Sequence, residues 1–301
     1  MKIVNTLLLY HVITAKVKTS PTITRQEKAS REIMSLKNRV IFITGASAGI
    51  GAACARRFAE AGANLILAAR RANRLRELAR EVESAFGIRC HFRALDVRHQ
   101  PDVEQFMAEL PPEFAAIDIL VNNAGLSRGL DPIPQGKIDD WDEMVDTNVK
   151  GLLFVTRAVT PGMLERGQGH IINIGSIAGR QVYPNGGVYC ATKFAVRAIT
   201  QGLMMDLVNT PLRVTTVDPG LTETEFSLVR FRGDKERAAN VYRSTDPLTA
   251  DDIADAVLYC ATRPPRMNVA EMVVMPTTQA SVYHLHKYQV SSNKLRGASD
   301  E

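Results

Sequence analysis

The chain has 301 residues, 45% hydrophobic and 23% charged, which suits one large α/β domain with an ample core and excludes a chain disordered along most of its length. The net charge of +5 is concentrated at one end: residues 1–33 hold six Lys/Arg against Glu27 and Glu32, a net +4, so the body is nearly neutral and offers no broad basic surface for nucleic acid. Cys54, Cys90, Cys190 and Cys260 lack Cys-x-x-Cys or Cys/His spacing, which points to reduced thiols in the cytoplasm and to no metal site.

Residues 1–37 read as a poorly ordered extension, with an apolar run too short to span a membrane. From there to about 280, short apolar runs alternate with helical patterns, the signature of parallel βαβ units in a single domain. The expected class is a three-layer, Rossmann-like, doubly wound α/β fold on a seven-stranded parallel sheet. Strands are expected at 40–44, 64–69, 91–96, 117–122, 170–175, 214–217 and 272–275. Helices are expected at 51–61, 74–86, 103–110, 141–166, 188–207 and 250–261.

After the first strand comes Thr44-Gly45-Ala46-Ser47-Ala48-Gly49-Ile50-Gly51, opening a helix. Glycine permits a tight turn at 45, close approach of a dinucleotide pyrophosphate at 49, and packing of helix on strand at 51. The second strand ends in Arg70-Arg71, where a dinucleotide lacking the 2′-phosphate would meet an acidic residue, so the cofactor expected is NADP. Asp96, with Val97 after the third strand, suits the adenine amino group, and Asn123 after the fourth is expected to line the crevice, with Asn122 structural.

The helix from 188 carries Tyr189 and Lys193 one turn apart on one face. A tyrosine titrating near pH ~10 becomes a usable base only beside a cation, and an ammonium ~4 Å away contributes about 4 kcal/mol, enough to bring it toward ~7. Beyond the sixth strand, 221–247 has few sustained apolar periods and is expected to be either a lid or disordered, and 281–301 is expected to be a tail.

These elements in this order, with Asn148, Ser176, Tyr189 and Lys193, resemble the short-chain dehydrogenase/reductase superfamily over residues 38 to about 280. The resemblance implies Tyr189 as acid/base, Ser176 orienting the substrate oxygen, Lys193 holding the nicotinamide ribose and lowering the tyrosine pKa, and Asn148 anchoring a water relay. It also implies that the segment from Pro219 and Gly220 to Thr222 and Thr224 holds the carboxamide, and that the enzyme is a homotetramer.

Residues 122–126, 224–234 and 275–279 further resemble the NADP-dependent 3-hydroxy acid dehydrogenases that also oxidise serine and L-allo-threonine, although this chain is one residue shorter between Pro219 and Thr224. A carboxylate substrate needs a nearby cation, and Arg128, Arg180 and Arg230 are the candidates. Reduction of another small aldehyde such as sulfoacetaldehyde, and a catalytically silent NADP-binding protein, are the competing readings.

Overall fold

The first strand, Val-Ile-Phe-Ile-Thr, sends Ile41 and Ile43 to one face and Val40 and Phe42 to the other, and all four are buried at 5% exposure or less. A strand apolar on both sides requires helices on both sides, which is the condition for a parallel sheet. The computed structural model describes residues 34–288 and meets that condition. Seven parallel strands, β1 (Val40–Thr44), β2 (Asn64–Ala69), β3 (Cys90–Ala94), β4 (Ile117–Asn122), β5 (His170–Ile174), β6 (Arg213–Pro219) and β7 (Glu271–Val274), lie in the order 3-2-1-4-5-6-7.

On the Ile41/Ile43 face pack α1 (Gly49–Glu60), α2 (Ala72–Phe86) and, across the sheet, α9 (Ala250–Ala261). The Val40/Phe42 face is covered by α3 (Gln100–Ala108) and α5 (Leu152–Arg166), with Leu203 and Met204 of α6 (Gly187–Asp206). Phe42 stacks on Phe106 of α3 with ring centroids 5.3 Å apart. The strand order reverses between β1 and β4, so their C-terminal ends splay apart and leave the crevice in which such folds bind ligands.

Four sequence expectations change. Ordered packing starts before residue 38: Leu36 is 2% exposed and the Met34 N–H donates to Thr262 O. The single helix expected at 141–166 is α4 (Ile138–Val145), a π-helical turn at Asp146–Gly151, and then α5. The 221–247 stretch contains α7 (Phe226–Arg230) and α8 (Lys235–Tyr242), secured where Thr222 pairs with Leu248. Of the expected tail, 281–288 docks on the body, with Val282 N–H on Gln181 and Tyr288 N–H on Ser244 O. The expectations for 1–33 and 289–301 lie outside the described residues.

His170 opens β5 fully buried, with Nε2 2.7 Å from Thr215 Oγ1. Burial, reinforced by Arg213, holds its pKa well below the usual 6.5. The unfolded chain therefore accepts a proton that the folded one refuses; this stabilisation is complete above pH 6.5 and is lost as pH falls through and below it. We expect this residue to remove about 1.4 kcal/mol of stability per pH unit below its unfolded pKa. Urea unfolding at about pH 7.5 and about pH 5.5 should show that slope, and His170→Gln should be flatter by one proton.

Candidate active site

A cleft of about 780 Å³ opens along the C-terminal edge of the sheet. It gathers Gly45, Ser47, Ala48, Gly49, Ile50, Arg70, Arg71, Asp96, Val97, Asn123, Ser176, Tyr189, Lys193, Pro219, Gly220, Thr222, Thr224, Arg128 and Arg230. Three expected residues do not line it: Gly51, Asn148 and Arg180.

At one end, Gly45 and Gly49 take positive φ of 65° and 53°, which side-chain-bearing residues rarely adopt. Gly51 lies beneath the turn, where a Cβ would come within 2.4 Å of Asn123 Nδ2 and 2.5 Å of Gly45 O. Asn123 is thus less a ligand than a strap, donating through Nδ2 to Thr44 O at 2.9 Å and Gly45 O at 3.2 Å. The N-terminus of α1 has no side-chain cap and no acidic residue in its first turn, so its main-chain N–H groups stay available to an anion. By contrast, α9 closes its own N-terminus with a Thr249/Asp252 capping box.

Arg71 donates through Nε to Ser47 Oγ at 3.1 Å, and Arg70 leans on Glu143 at 3.6 Å. Asp96 is gripped by Arg98, with three side-chain bonds of 2.6 to 3.0 Å and the Arg98 N–H at 3.1 Å, so its oxygens are already shared before any adenine is considered.

At the other end, Ser176 follows β5 and its Oγ accepts the Ala178 N–H at 3.1 Å. Ser176 and Tyr189 line the same cleft, and Tyr189 is 8% exposed. Burial dominates and pushes the Tyr189 pKa well above 10; Tyr183 and Cys190 push the same way, while Arg230 and Ser176 draw it down. The guanidinium over the ring is that of Arg230, with Cζ 5.4 Å from the ring centroid. Lys193 Nζ instead donates to Ile174 O at 2.9 Å. Burial lowers its pKa to about 8, against the pull of Asp218.

Asn148 sits in the π-helical turn, where its side chain makes three bonds: Oδ1 accepts Leu126 N–H at 2.8 Å, and Nδ2 donates to Leu126 O at 2.8 Å and Thr192 Oγ1 at 3.0 Å. It ties the chain after β4 to α6. Asn122 is likewise structural, donating to Thr156 and Asn173 in the core.

The three candidate substrate arginines separate cleanly. Arg180 turns away from the cleft, contrary to expectation, because Asp218 at 2.8 Å and Glu271 at 2.5 Å hold its guanidinium. Arg128 is neutralised by Glu143 at 2.6 and 2.9 Å and donates to Val229 O. Arg230 has no carboxylate partner among the described residues; it stacks on Phe226 and Tyr189, donates to Tyr183 Oη at 3.0 Å, and keeps a buried, unpartnered Nε.

A phosphate-ready turn and a Ser-Tyr-Lys group share this cleft, and the model of the short chain dehydrogenase family matches residues 39–233. The chain belongs to that family. NADP-dependent 3-hydroxy acid dehydrogenase YdfG of Salmonella typhi is 48% identical over 242 residues, covering 80% of this chain and 96% of that protein. Sulfoacetaldehyde reductase 2 of Chromohalobacter salexigens is 47% identical, covering 80% and 95%. The solved closed form of serine dehydrogenase complexed with NADP+ superposes with a TM-score of 0.78 at 44% identity, covering 83% of this chain and 99% of that one.

This dehydrogenase also brings to the site residues that the sequence did not single out. Arg74, one turn beyond Arg70 and Arg71, joins their cluster, and helical spacing could have revealed it. Glu143, Tyr183 and Gln279 come from distant segments and carried no local signal. Among the described residues no group of three His, Cys, Asp or Glu side chains could hold a metal ion. Gly51→Ala should push Asn123 off the turn, lowering the melting temperature by about 4 °C or more and weakening dinucleotide binding at least about tenfold. Thermal melts and fluorescence titration measure the two effects.

Proposed function

We propose that this short-chain dehydrogenase oxidises the hydroxyl of a small 3-hydroxy acid or β-hydroxy amino acid with NADP, or reduces the matching semialdehyde. The observation that carries the proposal is Arg230, a guanidinium free of any carboxylate among the described residues, stacked over the tyrosine that would handle the proton. A planar guanidinium suits bidentate pairing with a carboxylate, and an acid bound there would set its 3-hydroxyl toward Tyr189 and Ser176.

The residues present fit the cofactor. The uncapped start of α1 and the turn around Gly49 suit the pyrophosphate, Ser47 with Arg70, Arg71 and Arg74 suits the 2′-phosphate, and Thr222, Thr224 and the Pro219-Gly220 main chain suit the carboxamide. Bound NADP+ supplies the hydride acceptor and a positively charged ring. Tyr189 takes the hydroxyl proton in oxidation and returns it in reduction, Ser176 shares the same oxygen, and Lys193, with its pKa near 8, exchanges a proton close to neutral pH. Asn148 acts through position, anchoring the main chain of the π-helical turn beside Lys193 for the water relay.

Finer statements follow from composition and surface. Exposed Leu153 and Leu164 on α5, with Phe194 and Met205 on α6, support assembly into a homotetramer. Four free thiols without metal-ligand spacing and a nearly neutral body support a cytoplasmic enzyme whose partner is a small molecule; among the described residues no helix is long and apolar enough to cross a membrane.

A substrate panel with NADP and NAD tests the reading: L-serine, L-allo-threonine, 3-hydroxypropionate, 3-hydroxyisobutyrate and sulfoacetaldehyde. We expect the hydroxy acids to turn over best; a preference for the sulfonate would assign the site to the reductase reading, since a guanidinium binds either anion. Tyr189→Phe should lower kcat by about a hundredfold or more. Arg230→Ala should raise KM for hydroxy acids about tenfold and move the pH optimum for oxidation upward, because the cation that draws the tyrosine down is gone. Arg230→Lys should restore the pH optimum more than the KM.

A further inference from the structure

The arginines that suit the 2′-phosphate already hold an anion supplied by the chain itself. Arg71 Nη1 donates to Glu225 Oε2 at 2.8 Å, and Arg74 Nη1 donates to both Glu225 oxygens at 2.6 and 2.8 Å. Glu225 comes from 151 residues beyond Arg74, at the foot of α7. Its neighbour Thr224 lies over the phosphate turn, its Cβ 3.3 Å from where a Gly49 Cβ would stand. The dipeptide Thr224-Glu225 thus reaches both the pyrophosphate turn and the arginine cluster.

We propose that Glu225 is an internal counter-anion that competes with the cofactor 2′-phosphate for Arg71 and Arg74, and so sets how strongly the enzyme prefers NADP over NAD. The inference rests on reading Arg71 and Arg74 as the 2′-phosphate site. All three side chains are 38% to 45% exposed, so their pairing is screened and breakable. A phosphate monoester carries about −1.5 to −2 charge and three acceptor oxygens against one charge on the carboxylate, and displaces it. A bare ribose hydroxyl has no charge with which to compete and leaves the Glu225 pair intact. Charge on Glu225 therefore costs binding only to the phosphorylated cofactor.

Calorimetric titration of the full-length protein with NADP, NAD and the fragments 2′,5′-ADP and 5′-AMP tests this. Glu225→Gln keeps the shape and removes the charge; it should tighten NADP and 2′,5′-ADP about threefold or more, with NAD and 5′-AMP changed less than about twofold, and the gain should shrink in high salt. Unchanged or weaker binding of 2′,5′-ADP to Glu225→Gln overturns the proposal. Arg74→Ala tests the underlying reading separately, with an expected loss of about fivefold or more for 2′,5′-ADP and none for 5′-AMP. If Arg74→Ala behaves so and Glu225→Gln does not, only the competition fails; if Arg74→Ala leaves 2′,5′-ADP unchanged, the phosphate site and the competition fall together.

Discussion

The geometry of the cleft depends on a small hydrogen-bonded clasp between the ends of β1 and β4. Thr44 Oγ1 accepts the N–H groups of Asn123 and Ala124 at 3.1 and 3.0 Å, while the Asn123 side chain returns two bonds to the main chain at Thr44 and Gly45. These two strands diverge at the point where the sheet reverses its winding, so nothing in the strand pairing itself holds their ends in register past Val121. The clasp does this, and Gly51 is bare because the clasp occupies the space a side chain would need. With the turn fixed, α1 starts with its N–H groups free, and everything that would meet a dinucleotide follows from that placement.

A second constraint is charge. The cleft is rich in arginine, yet nearly every guanidinium is committed: Arg128 to Glu143, Arg71 and Arg74 to Glu225, and Arg232 to Asp140. Glu143 also has Arg70 at 3.6 Å and Arg98 at 3.8 Å, so one carboxylate links the adenosine end to the segment above Tyr189. Such pairing fixes geometry more than it stabilises, since the exposed pairs contribute only about 0–1 kcal/mol each. Against that background Arg230 stands out because it stacks on aromatic rings instead of meeting an acid. In the proposed function this cation would both meet an anionic substrate and draw down the pKa of Tyr189, which would couple substrate charge to tyrosine protonation through one side chain.

Much of the fold was legible because it rests on local patterns. Strands such as Val40–Thr44, Asn64–Ala69 and Ile117–Asn122 are apolar runs buried on both faces, and they fall where the pattern puts them. The break at Asp146–Gly151 was hidden because no proline or glycine marks its start, and helical periodicity continues on either side. The order within 221–247 was hidden for another reason: its helices are short, and they are held by contacts such as Ser227 to Tyr242 and Thr222 to Leu248 rather than by an amphipathic stripe.

From its sequence alone the chain determined the doubly wound architecture, because each strand and helix is a local apolar pattern, and it set the glycine turn after the first strand and Tyr189 and Lys193 one turn apart on one helix. Tertiary structure decided how those groups are charged and which arginine is free. It buried Tyr189 and raised its pKa, set Arg230 rather than Lys193 over its ring, sent Arg180 to Asp218, and brought Glu225 across to Arg71 and Arg74. Burial and pairing between distant segments are properties of the packed molecule, because the energy of a charge depends on what surrounds it in space and not on its neighbours along the chain.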